Sequence, residues 1–339
     1  MKSTQGTQST WDRKELLETI YLVQSGLGKK EEVEQALSLV FKDERIHTYN
    51  QTIAVSTPFV CGWEGALIAD PFVRFLEKTK AKEVTLTNTG KTLVVETKKA
   101  KATFSFMDKI RMPLEEVPNP KEFSPLPEDF KEQVQGCLFS VSCDPSKPAL
   151  MCVSLKGNKV TSCDNFRLTQ RTMKGDVKDP FLFPADAAVK LLPLDIKGVS
   201  VGKSWIHFER NETIFSCRTH AKDYPDVSGL FKKDGVGVAF PDKAKAILER
   251  AAIFTKGDWE ARVKITFAES SGFTVTSETE GIGSFVECCK ADFCGKETKI
   301  IVNPLYLIDI LDSECTAVAG KTTLTITGKG QTHIVCLCI

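Results

Sequence analysis

The chain has 339 residues, 42% of them apolar and 26% charged, with a formal net charge of +1. That composition can fill a core in each of two or three domains and excludes a disordered or fibrous chain. No apolar run approaches membrane-spanning length and Met1 to Thr10 is polar, so no signal peptide or anchor is expected and the cytoplasm is the expected compartment.

Taken in chain order, the first element is a helix announced by Trp11-Asp12-Arg13-Lys14-Glu15-Leu16-Leu17. An Asp sits before an acidic first turn and an apolar pattern at helical spacing. A second helix opens at Ala69-Asp70-Pro71-Phe72, its Pro placed where a missing N–H costs nothing. Three segments of period two follow: Val84-Thr85-Leu86-Thr87, Thr92 to Thr97 and Ala102-Thr103-Phe104-Ser105-Phe106, with Asn88-Thr89-Gly90-Lys91 as a turn. The stretch from Met112 to Pro127 then carries Pro113, Pro118, Pro120, Pro125 and Pro127, which suits an extended connection.

The same sequence of signals then starts again. Leu126-Pro127-Glu128-Asp129-Phe130 repeats the first helix signature, Met151 to Leu155 and Val160 to Cys163 repeat the strands around Lys156-Gly157-Asn158-Lys159, and Phe183-Pro184-Ala185-Asp186 repeats the second helix. A third round has Phe240-Pro241-Asp242-Lys243, strands at Ala261 to Phe267 and Gly272 to Thr276, a helix at Val302-Asn303-Pro304-Leu305 and a closing strand at Thr323 to Thr327. Lys232-Lys233-Asp234-Gly235 marks the second junction, and Tyr224-Pro225-Asp226 echoes Val117-Pro118-Asn119. Starts separated by about 115 residues suit a small domain rather than a solenoid repeat. The expected fold is α+β, three tandem modules of two helices on a β-sheet, with boundaries at 1–121, 122–231 and 232–339.

Catalytic chemistry is poorly signalled. None of the twelve cysteines forms a Cys-x-x-Cys pair, and Cys152, Cys163, Cys217, Cys336 and Cys338, all on expected strands, read as small buried hydrophobes. Cys288-Cys289 with Cys294 lacks a nearby His and makes a poor zinc site. Cys217, His220, Asp223 and Asp226 could imitate metal-ligand spacing, though on an alternating strand Cys217 and His220 point to opposite faces. The alternative is a solvated strand end with one buried thiol. No phosphate-cradling glycine loop or nucleophile elbow is present, so neither a cofactor nor a metal is expected.

Several segments resemble the bacterial-type β sliding clamps, processivity factors of replicative DNA polymerases. Val160-Thr161-Ser162-Cys163-Asp164-Asn165-Phe166-Arg167-Leu168 is similar to that family's strand-turn with Thr-Asp-Gly-His-Arg-Leu, and Ala221 to Asp226 to its Gly-x-Phe-Pro-Asp segment. Glu249-Arg250-Ala251-Ala252-Ile253 resembles its Ala-Arg-Ala-Ala-Ile helix, Val302 to Asp309 its Phe-Asn-x-x-Tyr-x-x-Asp helix, and His333 to Ile339 its C-terminal strand. These fall in order over nearly the whole chain from Trp11, with the first module the loosest fit.

The resemblance implies a homodimeric, head-to-tail DNA-clamp ring of six modules that encircles double-stranded DNA without sequence specificity and tethers a DNA polymerase. It implies an accessory subunit in DNA replication rather than an enzyme. Packing agrees: six helices side by side around a circle leave a hole too narrow for duplex DNA, whereas twelve, from two chains, leave a bore of about 28 Å. Two-fold closure would pair module one with module three, through Phe104 and Phe106 on one side and Ile253 and Phe254 on the other; the alternative for these four is module core. Cations on or beside the helices are Arg13, Lys14, Lys29, Lys30, Arg74, Lys78, Lys131, Lys190, Lys243, Lys245 and Arg250, either facing DNA or simply solvated. Lys29 and Lys30 match a basic loop of the family.

The resemblance also implies a groove between the middle and last modules for apolar peptide motifs of the polymerase and clamp loader. Its walls, carried over position by position, are Cys163, Asn165, Phe166, Arg167 and Leu168, with Pro225 and Leu230, then Trp259, Asn303 and Tyr306, and finally Ile334, Val335, Cys336, Leu337 and Cys338. For Leu168, Ile334 and Val335 the alternative is sheet core. Asn165-Phe166 replaces the family's Gly-His, and Leu337 replaces the Pro of its Met-Pro-Met-Arg-Leu ending, so an altered partner peptide is expected, as in a phage-encoded clamp or a second bacterial one. Two other readings stay open: a clamp-like scaffold that binds partners without encircling DNA, and a metal-dependent DNA-processing enzyme using Asp223 and Asp226.

Overall fold

The structure is a computed structural model and describes residues 7–219, 223–231, 234–257, 260–291, 293, 295–311 and 315–338. Among these lie six α-helices: α1 (Arg13–Val23), α2 (Ala69–Lys78), α3 (Phe130–Gln135), α4 (Ala185–Leu191), α5 (Ala244–Ala252) and α6 (Pro304–Ile308). They fall at the six expected places. The twenty-four strands follow one order three times over: a strand, a helix, four strands, a helix and three strands.

The helix starts show why. Asp12 caps α1, its carboxylate accepting from the Lys14 and Glu15 backbone N–H groups at 2.8 and 3.3 Å, and Asn303 caps α6 by accepting from Leu305 N at 3.0 Å. Pro71, Pro184 and Pro304 all lie at or beside a helix start. The second copy of the first signature departs from expectation. Asp129 makes no cap bond; its carboxylate instead accepts from Lys174 N at 3.1 Å and Gln133 Nε2 at 3.1 Å, so the helix begins only at Phe130 and ends within six residues.

The chain divides into two compact units, Met1–Leu126 with Val177–His220, and Pro127–Asp176 with Ala221–Ile339. In the first unit a twelve-stranded sheet carries α1 and α2, which bury Leu16, Leu17, Ile20 and Val23, and Phe72, Val73 and Leu76. In the second, α5 and α6 contribute Ile247, Leu248, Ala251 and Leu307 to a core with Ile265, Phe267, Phe273 and Val275. Each such large side chain contributes about 1.5–3 kcal/mol on burial.

The connection from Met112 to Pro127 is extended apart from a helical turn at Leu114–Glu116 and a two-residue strand, Ser124–Pro125, on the sheet edge beside Gly198–Val201; an edge is where a strand tolerates proline. Lys232 and Lys233 lie outside the described residues. No disulfide joins two of the described cysteines. Cys152 and Cys217 are buried as expected, but Cys336 is exposed and Cys163 and Cys338 are half-buried. Cys336 is the outermost residue of its strand and Cys338 lies beyond that strand's end, so sheet packing does not cover them.

Candidate functional site

In the second unit, strands Lys159–Cys163 and Arg167–Thr172 form a hairpin with Cys163 opposite Leu168. Its turn is held by Asp164, whose carboxylate accepts from Phe166 N at 3.0 Å and Arg167 N at 2.9 Å. Asn165 takes the left-handed conformation, φ 77°, which Asn tolerates better than most residues. The turn leaves the Phe166 ring 45% exposed. The last strand, Gln331–Cys336, adds to the hairpin with Leu168 opposite Ile334, and Cys336 N donates to Phe166 O at 2.7 Å.

Arg167 ties the hairpin to its surroundings. Its Nε donates to Asp164 at 3.0 Å, Nη1 to Asp309 at the end of α6 at 2.6 Å, and Nη2 to the Phe139 carbonyl. The guanidinium lies over the Tyr306 ring at 4.6 Å and the Phe139 ring at 5.4 Å, a cation–π arrangement strengthened by partial burial. Tyr306 in turn lies 6.5 Å from Phe166 with rings 25° apart. Beneath them a buried chain runs from His333 Nδ1 to Thr169 at 3.0 Å, and from Ser140 to Thr169 at 2.6 Å. Such satisfied polar contacts fix the geometry of the two joined strands.

Asn165, Phe166 and Tyr306 thus lie together at the turn, with Cys336 Sγ 3.7 Å from the Asn165 carbonyl oxygen. Partial burial holds the Cys163 thiol and the Tyr306 hydroxyl above their ordinary pKa values, so these groups are neutral. Leu168, Ile334 and Val335 are buried in the sheet, Leu168 and Ile334 opposite one another and Val335, the next residue along, on the other face. Asn303 is buried with its amide oxygen committed to the α6 cap. Pro225 and Leu230 are exposed, and Trp259 lies outside the described residues.

The helix cations divide into two sets. Lys14, Lys29, Lys30, Lys78, Lys131, Lys190, Lys243 and Lys245 are exposed. The arginines make contacts within the chain, Arg74 and Arg250 while remaining exposed. Arg13 donates to Ala81 O at 3.0 Å and Leu76 O at 3.2 Å, closing the C-terminal end of α2. Arg74 pairs with Asp70 at 3.6 Å, and Arg250 forms a two-pronged pair with Glu287 at 2.9 and 2.7 Å.

Strand pairing between repeats follows one rule. Of the four strands between a repeat's helices, the third pairs with the last strand of the following repeat: Ile53–Pro58 with Thr213–Arg218, and Arg167–Thr172 with Gln331–Cys336. The third copy, Gly283–Cys289, is the outermost strand of its four-stranded sheet. Strand Lys101–Met107 pairs with Thr92–Glu96 along one side and meets Gly65–Ile68 only through Phe106 and Met107. Beside Gly283–Cys289, Ile253 is 69% exposed and Val286 66%, while Phe254 stacks on Phe285 at 5.7 Å. Phe104 packs edge-on to Phe72 and Phe75. Phe106 is buried against Trp63 at 5.3 Å, within the aromatic cluster of its own repeat.

Among the described residues no group of three or more His, Cys, Asp or Glu is placed to hold a metal ion. Of the cluster suggested by sequence, Cys217 is buried in the sheet opposite Ile206, Asp226 accepts from Ser228 N at 2.9 Å, and His220 lies outside the described residues. No described helix is long and apolar enough to cross a membrane.

Neither family models nor curated protein sequences match this chain. Solved structures do. The DNA polymerase sliding clamp of Bacillus subtilis superposes with a TM-score of 0.83 at 17% identity, over 98% of this chain and 99% of that one. The DNA polymerase III subunit beta of Pseudomonas aeruginosa gives 0.84 at 13% over 98% and 99%, and the DNA polymerase beta subunit of Streptococcus pyogenes 0.84 at 17% over 98% and 99%. The fold is that of the bacterial sliding clamps.

Within that clamp fold the resemblance covered the hairpin turn and α6 and missed one support of Arg167, Phe139. Phe139 and Asp164 hold Arg167, yet nothing in the sequence near Phe139 marks it, because its contact comes from a distant strand. Asp164 was legible as an Asp-Asn turn, and Asp309 as the last residue of the α6 pattern. Tyr224 is a further addition: its hydroxyl is buried without a partner among the described residues, and burial drives its pKa strongly upward.

Proposed function

We propose that this chain is a DNA sliding clamp. Two copies close head to tail around duplex DNA and tether a DNA polymerase and other replication proteins, including the clamp loader, without catalysing a reaction. The observation that carries the reading is the strand-pairing rule. It is used at both junctions within the chain and leaves strand Gly283–Cys289 and strand Lys101–Met107 as the two ends that a second copy would join. Six modules, bounded at 1–121, 122–231 and 232–339 in each chain, then supply twelve helices around a bore of about 28 Å. A cytoplasmic location follows from the role.

The rim formed by Phe166, Tyr306, Cys336, Leu337 and Cys338 is the peptide groove, entered by an extended segment with Leu or Phe anchors. Phe166 narrows it relative to the usual Gly-His turn, so its preferred peptide differs from the common bacterial motif. Lys29, Lys30 and the helix lysines meet the DNA backbone weakly, because closure rather than affinity retains the ring.

Sedimentation tests the assembly. The expected species is a dimer of 37.5 kDa chains, and Ile253→Asp with Val286→Lys gives a folded monomer; a wild-type monomer at micromolar concentration contradicts the proposal.

A further inference from the structure

The two junctions between consecutive repeats share one hydrogen-bond plan. Arg218 N donates to Thr52 O at 2.8 Å at the first, as Cys336 N donates to Phe166 O at 2.7 Å at the second. Thr219 N donates to Ser204 O at 2.9 Å, as Leu337 N donates to Thr322 O at 2.8 Å. Strand register completes the correspondence: Tyr49 lies opposite Ala54, and Ala54 opposite Ser216, just as Cys163 lies opposite Leu168 and Leu168 opposite Ile334. Trp205 faces Arg218 as Thr323 faces Cys336. Arg218, Tyr49 and Trp205 therefore occupy the places of Cys336, Cys163 and Thr323.

The contents of the two places differ in size and charge. At the second junction all three residues are small. At the first, the Arg218 guanidinium lies 5.0 Å from the Trp205 ring centroid, and its Nη2 donates to Tyr49 Oη at 2.9 Å and to Glu116 Oε2 at 3.0 Å. Tyr49 Oη donates to the same carboxylate oxygen at 2.6 Å, so Glu116 fastens the connecting segment across the junction. Arg218 Nε is buried without a partner among the described residues. Along the same connecting segment lies an open recess of about 470 Å³, lined by Ile110, Met112, Leu114 and Val117 together with the polar Lys42, Glu115 and Asn119.

We infer that the first junction is a second peptide groove of the same plan, stoppered by Arg218 and Trp205 and sealed by Glu116, so that each chain takes one extended apolar peptide and not two. The inference rests on reading the second junction as the peptide groove. Arg218 then sets the stoichiometry, because a guanidinium stacked on an indole excludes the apolar anchor that small thiols admit.

The probe is a fluorescein-labelled peptide from the C-terminal tail of a bacterial replicative DNA polymerase, titrated calorimetrically and by anisotropy. Wild type binds one peptide per chain. Arg218→Cys, with a cooperative melt, binds two, the second more weakly; Cys336→Arg, which places the stopper in the open groove, weakens the single site at least tenfold. One peptide on folded Arg218→Cys, or unchanged affinity of Cys336→Arg, overturns the inference, and if Arg218→Cys does not fold the Cys336→Arg arm decides alone. No binding to wild type at any concentration would instead sink the peptide-groove reading itself.

Discussion

His207 illustrates how one buried side chain sets a pH response. Its ring is enclosed in the sheet with Nδ1 at 2.8 Å from Ser216 Oγ, and burial lowers its pKa from 6.5 to about 4. The unfolded chain therefore takes up a proton near pH 6.5 that the folded chain refuses until near pH 4. Stability is level above pH 7 and falls as pH drops through this window, by on the order of 3 kcal/mol for this residue. His47 is pushed the same way by its burial. Urea denaturation at pH 7.5 and pH 5 checks the sign: His207→Gln should flatten the difference, and equal wild-type stabilities at both values would contradict it. Arg167 acts by contact instead. Arg167→Ala strips Asp164 and Asp309 of their partner and uncovers two rings, so a loss of about 2–4 kcal/mol is expected, together with loss of peptide binding. At this scale the sequence revealed Arg167 and Phe166 through a nine-residue likeness, whereas Phe139 was hidden because only folding brings it to the guanidinium.

Elements were legible where local chemistry fixed them. Asp12 before Arg13-Lys14-Glu15 and Asn303-Pro304 both announce a helix by a side chain that satisfies N–H groups the helix cannot. Asp12→Ala should lower the melting temperature with unchanged oligomeric state, because two helix-start N–H groups lose their acceptor. Asp129 carries the same signal, but its carboxylate is drawn to Lys174 N by tertiary structure, and the helix shortens. The strands between α1 and α2 were not legible. Leu39-Val40-Phe41 is buried at every position, and a run without alternation gives no period by which to tell strand from helix. Strand Gly283–Cys289 is the reverse case: its alternation between exposed and half-buried positions marks a strand with one face packed and one side open, a hazard unless a partner covers it.

At the scale of the whole molecule, the threefold order of helix signatures revealed three tandem α+β modules, because each module repeats a complete set of local signals, and the resemblance of particular segments pointed to the clamp fold. The sequence could not supply the pairing rule between modules, which depends on strands far apart in the chain. The mixed charge of the helix surfaces predicts feeble affinity for DNA in the absence of closure. That affinity should fall steeply with salt, by a slope of about 0.9 per neutralised phosphate. Retention by topology leads to a direct trial. The protein is loaded by a clamp loader onto nicked circular DNA, separated from free protein by gel filtration, and the circle is then cut once. A closed ring stays on the circle and is lost on linearisation; protein that persists on linear DNA, or never survives filtration on the circle, contradicts the account.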